Sequence, residues 1–251
     1  MPVVIAPGNA DPRQSFSDSA RTALALCSPD KRRHLSAVLA KVDVKRVEEL
    51  REKYATDIEV RFPQDPASEI KFLDLPYWLS HKLDLAMRLK LHSARSRSIL
   101  DLSTGGSHFL AVCQSFGHRA LGIDGEQPLY ADIAHCLNVR RLVERVERQT
   151  KLLDRGERFD LVTAIWITFN SLPSQDGKRR YWSLDDWTFF VRDLIENQMR
   201  LPGQIHLELN PEYNDATPPV GGFNSELLAM FKRQGAQVDE KRGSITLYCP
   251  A

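Results

Sequence analysis

Nine consecutive residues, Phe159-Asp-Leu-Val-Thr-Ala-Ile-Trp-Ile167, are apolar almost throughout. A strand that is apolar on both faces has to be covered on both faces, which is the setting of a central strand in a parallel sheet. The surrounding sequence agrees. From Ser98 onward, short apolar runs alternate with segments of helical spacing, and that alternation implies a parallel sheet with helices on both sides. Ser98–Ser103 reads as a first strand, His108–Phe116 as a helix closed by Gly117, and Ala120–Asp124 as a second strand. A second helix spans Pro128–Leu137. Residues 142–149 suit a third strand or, by their charges, a helix. Beyond the Phe159–Ile167 strand come a helix over 183–199, a fifth strand Gln204–Leu209 and a helix Ser225–Arg233. Two last strands, 237–240 and 244–248, turn tightly at Arg242-Gly243 and are expected to add one antiparallel strand at an edge.

The N-terminal part has a different character. Residues 1–14 carry three prolines and are expected to form a loose arm. Helical patterns follow, with Ser28-Pro29 as a start signal and Asp43 as a second cap. Pro76 opens a helix whose Leu79, Leu83, Ala86, Met87 and Leu91 recur at three- and four-residue spacing. The expected division is an N-terminal arm and helical extension over 1–75 and an α/β domain over 76–251.

The 34 basic and 33 acidic side chains nearly cancel. No general electrostatic pull toward nucleic acid or an anionic membrane is therefore expected. The cysteines, at 27, 113, 136 and 249, are isolated from one another and from histidines at ligand spacing, which argues against a metal site or a disulfide framework. The short apolar run Pro2–Ala6 lacks the basic flank and cleavage pattern of a signal peptide, and no segment is long enough to span a bilayer. The default expectation is a cytoplasmic protein.

In an open α/β sheet the ligand lies beyond the carboxyl ends of the strands. After the first strand the chain reads Asp101-Leu-Ser-Thr-Gly105-Gly106-Ser107-His108. A glycine-bearing turn between strand and helix lets the backbone approach a ligand closely. The second strand ends at Asp124, whose carboxylate can accept from both hydroxyls of a ribose. The pair describes a nucleoside site. A dinucleotide fingerprint needs a third glycine for its pyrophosphate. Counted from Ser103 that position is His108, and from Gly105 it is Leu110, so a nicotinamide enzyme is disfavoured.

Asp101–Ser107 resembles the first motif of the class I S-adenosylmethionine-dependent methyltransferases, with serines at 103 and 107 where the family has glycines. Leu121-Gly-Ile-Asp124 resembles the second motif, Arg158–Ala164 the fourth-strand motif, and Leu201–Glu208 the turn and strand after it. The resemblance covers residues from about 72 to 249. It implies a Rossmann-like, seven-stranded, mostly parallel sheet with a C-terminal antiparallel hairpin, S-adenosyl-L-methionine as cofactor, and methyl transfer to a small or medium-sized acceptor. A non-catalytic adenosylmethionine- or adenosylhomocysteine-binding relative is the alternative. The implied cofactor residues are Asp101, Ser103, Thr104, Gly105, Asp124, Gly125, Gln149, Ile165 and Trp166. Of these, Gln149 would lie by the adenine, with Arg148 and Thr150 as alternatives there, and Ile165 and Trp166 by the methionine part. Trp166 equally suits core packing. If Ser103 takes a left-handed backbone, the strain is about 1–2 kcal/mol.

Polar residues expected near the cleft include His108, Asn170, His206, Glu208 and Asn210, with His108 and Glu208 as candidates for proton transfer. His108 better suits a solvated first-turn position. His206 and Glu208 share one strand face, as a catalytic pair or a structural one. Asn210-Pro-Glu-Tyr213 resembles a signature of amino-group methyltransferases, but it follows the fifth strand rather than the fourth and is set aside. Residues 60–78 and 211–222 are candidate lids or acceptor walls.

Overall fold

The computed structural model describes residues 10–62, 65, 68–172, 180–213 and 221–251. By its contacts the chain divides into two compact units. The first holds the residues up to Ser96 together with Thr104–Gly122 and Glu126–Leu142; the second holds Arg97–Ser103, Ile123–Gly125 and Val143–Ala251. The division expected at 75/76 does not coincide with this partition, because the helix opened by Pro76 packs among the N-terminal helices.

The first unit begins with α1 (Phe16–Ala25), α2 (Pro29–Leu39), α3 (Val44–Lys53) and α4 (Ala55–Arg61). Side chains of Ser15, Ser28 and Asp43 accept from the N–H groups of Asp18, Lys31 and Arg46, so three of these helices start on conventional caps. Then comes α5 (Leu75–Arg88), whose cap, Asp74, ties the unit together. Its buried carboxylate accepts from the N–H of Asp11 at 2.9 Å, the N–H of Tyr77 at 3.3 Å and the hydroxyl of Ser19. Burial pushes this carboxyl above its ordinary value despite those bonds. Asp74 and Arg51, which donates to the carbonyls of Pro12 and Arg13, hold residues 11–13 against the helices. The loose arm expected over 1–14 is therefore pinned where it is described; residues 1–9 lie outside the described residues.

The strands are β1 (Ser98–Leu102), β2 (Arg119–Asp124), β3 (Arg141–Val143), β4 (Phe159–Ile167), β5 (Ser171–Leu172), β6 (Arg180–Tyr181), β7 (Met199–Leu209), β8 (Glu212–Tyr213), β9 (Gly221–Gly222), β10 (Gln237–Asp239) and β11 (Ser244–Cys249). Between them run α6 (His108–Ser115), α7 (Pro128–Cys136), α8 (Leu184–Asp193, continued by a wider turn to Gln198) and α9 (Ser225–Arg233). One seven-stranded sheet has the order β10-β11-β7-β4-β1-β2-β3. β4 runs parallel to β1 and β7, and β11 runs antiparallel to β7 and β10. This is the Rossmann-like arrangement with a closing antiparallel hairpin.

Three boundaries differ from expectation. The antiparallel strand lies second from the edge. β11 alternates buried Ile245, Leu247 and Cys249 with more exposed residues, which suits an interior strand, whereas the three-residue β10 is mostly exposed and forms the edge. Strand β3 ends at Val143, and the segment expected through 149 continues without regular structure. Strand β7 begins at Met199, paired with Phe159, and takes up residues expected to be turn. All four cysteines are buried and none forms a disulfide. Among the described residues no helix is long and apolar enough to cross a membrane, and no group of side chains could hold a metal ion.

Candidate functional site

The turn after β1 alternates in backbone handedness. Ser103, Gly105 and Ser107 have φ of 54°, 55° and 63°, so the two serines adopt the left-handed conformation that glycine takes without strain. Each bears the strain anticipated for Ser103. A Cβ on Gly105 would meet nothing within 4 Å, so the space above that residue is open. Gly106 has a different reason to be glycine: a Cβ there would stand 2.7 Å from Cε1 of His108 and 2.9 Å from Cγ2 of Ile133. Thr104 turns its side chain onto Gly122 of β2, where a Cβ would lie 2.6 Å from its methyl.

In the second unit Asp101 is buried and anchors rather than lines a surface. Thr163 of β4 donates to its Oδ1 at 2.6 Å. These two residues are register partners; Thr163 is also paired with His206 of β7, and His206 with Thr246 of β11. Register partners project from the same face, so a polar row crosses four strands. Nδ1 of His206 bonds Oγ1 of Thr246 at 2.9 Å, and its buried Nε2 has no hydrogen-bond partner among the described residues. Glu208, one step nearer the strand end, brings Oε1 within 3.8 Å of that nitrogen. The His206–Glu208 pair expected from alternation is present and nearly enclosed, at an ion-pair rather than a hydrogen-bond distance.

Asp124 ends β2 half-buried. Its Oδ1 accepts from the N–H of Gly125 at 2.8 Å, and its carbonyl accepts from Glu144 at 2.9 Å. A Cβ on Gly125 would make ordinary contact with the Arg145 side chain, 3.4 Å from Nε. Gln149, also at a left-handed φ of 54°, commits its amide nitrogen to Oδ1 of Asp186 at 2.6 Å, while Arg148 Nε reaches Oδ2 at 2.9 Å. Asp186 and Ser183 together form a capping box at the start of α8. Burial raises the Asp186 carboxyl, but bonds from Gln149, Ser183 and Arg148 outweigh it and hold the group down at about 2. The side chains expected near an adenine are thus tied down, and the left-handed backbone of Gln149 remains the conspicuous feature there.

At the end of β4, Ile165 pairs with Glu208 and is buried. Trp166 is half-buried and has φ of 58°, at a register irregularity between Ile165 and Ile167. A bulky residue in this region is a genuine outlier and persists only where neighbours enforce it. The neighbour is Asn210, whose amide donates to the carbonyls of Trp166 at 3.0 Å and Ile167 at 3.2 Å. Nothing in the sequence announced this strain, since no glycine or asparagine marks the position. Asn170, a few residues on, is buried and donates to Glu212 at 3.4 Å.

His108, in the first unit, is neither solvated nor poised to exchange protons. Its ring is buried beside Phe72 and Trp78, with Nε2 3.1 Å from the Phe72 carbonyl. Burial, reinforced by Lys82, pushes it down to about 3. It stays neutral at physiological pH and packs. Of the residues 60–78, Pro63, Gln64, Pro66 and Ala67 lie outside the described residues, as do 214–220 of the second candidate lid. The ends of the latter, β8 and β9, pair with each other.

No protein-family model matches the chain, and no curated protein matches it. Solved structures do. DesVI of Streptomyces venezuelae is similar over 69% of this chain and 92% of its own, at 13% identity and a TM-score of 0.45. CalS10 of Micromonospora echinaspora, described as an amino pentose methyltransferase with bound cofactor, is similar over 67% and 90%, at 16% identity and a TM-score of 0.45. A glycopeptide N-methyltransferase, MtfA, is similar over 57% and 64%, at 12% and 0.37. At these values the strand order of the sheet, and not the likenesses, identifies the fold.

Proposed function

We propose that the chain binds S-adenosylmethionine and transfers its methyl group to a small-molecule acceptor. The observation that carries this reading is the turn after β1, where left-handed residues alternate at 103, 105 and 107 within a Rossmann-like sheet. The residues present fit the group. Gly105 leaves open space, and the backbone bends as close approach to a ligand requires. Asp124 supplies the carboxylate that a ribose diol needs.

When bound, the cofactor supplies a methyl group on a sulfonium, a leaving group already activated. The work left to the chain is holding the acceptor in line at close range. In this reading Asp124 accepts from the ribose hydroxyls, with Gly125 beside it. The backbone of Ser103, Thr104 and Gly105 follows the cofactor's edge, and Asp101 supports that turn from below through Thr163. The left-handed backbone at Gln149 meets the adenine. Ile165 and Trp166 border the methionine part, where an indole face is worth about 0.5–2 kcal/mol to a cation. Glu208, backed by His206, is the carboxylate available for an acceptor proton.

The test of catalysis is transfer of labelled methyl from adenosylmethionine to separate sets of amine, hydroxyl and thiol acceptors, read as labelled product together with adenosylhomocysteine. Turnover with one set is expected. Tight cofactor binding without product from any set would favour a binding protein instead.

A further inference from the structure

The strand order of the sheet reverses between β1 and β4: β2 and β3 follow on one side of β1, and β7 lies on the other side of β4. The carboxyl ends of β1 and β4 therefore border the place where an open α/β sheet takes its ligand. The register shows how the end of β4 is built. Ile165 pairs with Glu208 of β7 and Ile167 pairs with Leu209, so two steps along β4 match one step along β7. Trp166 is the extra residue, a bulge, and it carries the left-handed φ of 58°. A left-handed residue in a bulge is ordinarily glycine, and bulges beside ligand sites re-aim a side chain. Here the residue is a half-buried tryptophan. The strain comes with its side chain, since glycine would form the same bulge without it.

Asn210, the residue after β7, supplies the restraint. A bulge disrupts the hydrogen-bonded ladder, and its carbonyls need other donors. The amide nitrogen of an asparagine carries two N–H groups. That of Asn210 donates to the carbonyl of Trp166 at 3.0 Å and to that of Ile167 at 3.2 Å, so one side chain holds the bulged residue and its successor. Holding the Trp166 carbonyl fixes the rigid peptide plane that follows this residue. A return of Trp166 to the extended region would redirect its Cβ and carry the indole elsewhere. Trp166, Asn210 and the ends of β1, β4 and β7 all belong to the second unit.

We infer that Asn210 is a positioning residue: its amide locks the bulge at the end of β4 and so fixes Trp166 where the methionine part of the cofactor binds. The identity of that ligand rests on the methyltransferase reading; the hold of Asn210 on Trp166 does not.

The experiment uses the full chain and its own fluorescence. Trp78, Trp182 and Trp187 are 0%, 3% and 0% exposed, so quenching by acrylamide reports chiefly on the half-buried Trp166. Trp166→Phe assigns the signal by removing it. Asn210→Ala should raise the quenching constant about twofold as the released ring becomes exposed, and should weaken adenosylmethionine about tenfold in calorimetric titration. Its urea midpoint falls whether the amide positions a ligand contact or only stabilises the strand end. The deciding comparison is therefore the same change in a Trp166→Gly background, where a left-handed backbone needs no enforcement. The indole is one contact among several, so that background keeps a measurable affinity, and there Asn210→Ala should alter it by less than about twofold. Asn210→Asp, of the same shape but without the two donors, provides a second variant should Asn210→Ala fail to fold, and higher quenching is expected of it too. The inference is overturned if loss of the amide leaves quenching unchanged, or if the affinity loss is as large beside Trp166→Gly as beside tryptophan. Higher quenching with unaltered adenosylmethionine affinity would also overturn it, because the lock would then serve the strand alone. If the wild type does not bind adenosylmethionine, the methyltransferase reading fails, and the hold of Asn210 on Trp166 stands or falls on the quenching.

Discussion

Ser103 and Gly105 share a backbone conformation but not a side chain, and that contrast can be measured. Ser103→Gly relieves strain of about 1–2 kcal/mol and costs about 0.5–1 kcal/mol in unfolded-chain entropy. A small gain in stability is expected, read as a higher urea midpoint. Gly105→Ala adds a Cβ that meets nothing, so its expected loss of about 1–2 kcal/mol comes from backbone strain alone. A clear loss on Ser103→Gly would mean that the serine side chain contributes something the turn geometry does not explain. The serines at 103 and 107 were legible in the sequence, and so was the strain at Ser103, whereas the left-handed backbone of Ser107 was not anticipated. The strain at Trp166 was not, because it is imposed by an asparagine far along the chain and not by any local preference.

At the scale of elements, the start of α8 is where side chains gather the chain. Asp186 accepts from Ser183, Arg148 and Gln149, and so joins the segment after β3 to the helix. Its folded value, about 2, lies below the ordinary 3.8. A lowered carboxyl contributes stability that is complete above about pH 4 and is lost as pH falls toward 2. Asp186→Asn is therefore expected to be less stable than the wild type at pH 6–7, by on the order of 2 kcal/mol. The difference should narrow in urea melts below pH 4, and a gap that stayed constant down to pH 2 would show that the carboxylate's charge plays no part. Helix starts at Ser28-Pro29 and Asp43, the Phe159–Ile167 strand and the α9 span were readable because cap chemistry and apolar runs are local signals. The places of β10 and β11 were not, since pairing partners are chosen by tertiary burial. The same holds for His108, whose enclosure by Phe72 and Trp78 depends on a segment distant in sequence.

Across the whole molecule, the sheet order brings together what the motifs only suggested in sequence. The second unit alone contains Asp101, Ser103, Asp124, Gly125, Gln149, Ile165, Trp166 and Glu208. Residues of five separate sequence segments thus belong to one compact unit, and three of them, Ser103, Gln149 and Trp166, mark backbone conformations that need a reason. A nucleoside ligand supplies that reason for the turn, and Asp124 is the residue on which it depends most directly. Calorimetric titration with S-adenosylmethionine therefore tests the account at its centre. One site per chain is expected, with Asp124→Ala weakening it about tenfold or more, as loss of hydrogen bonds to a charged acceptor requires. No heat from the wild type, or an affinity that Asp124→Ala leaves unaltered, would contradict it.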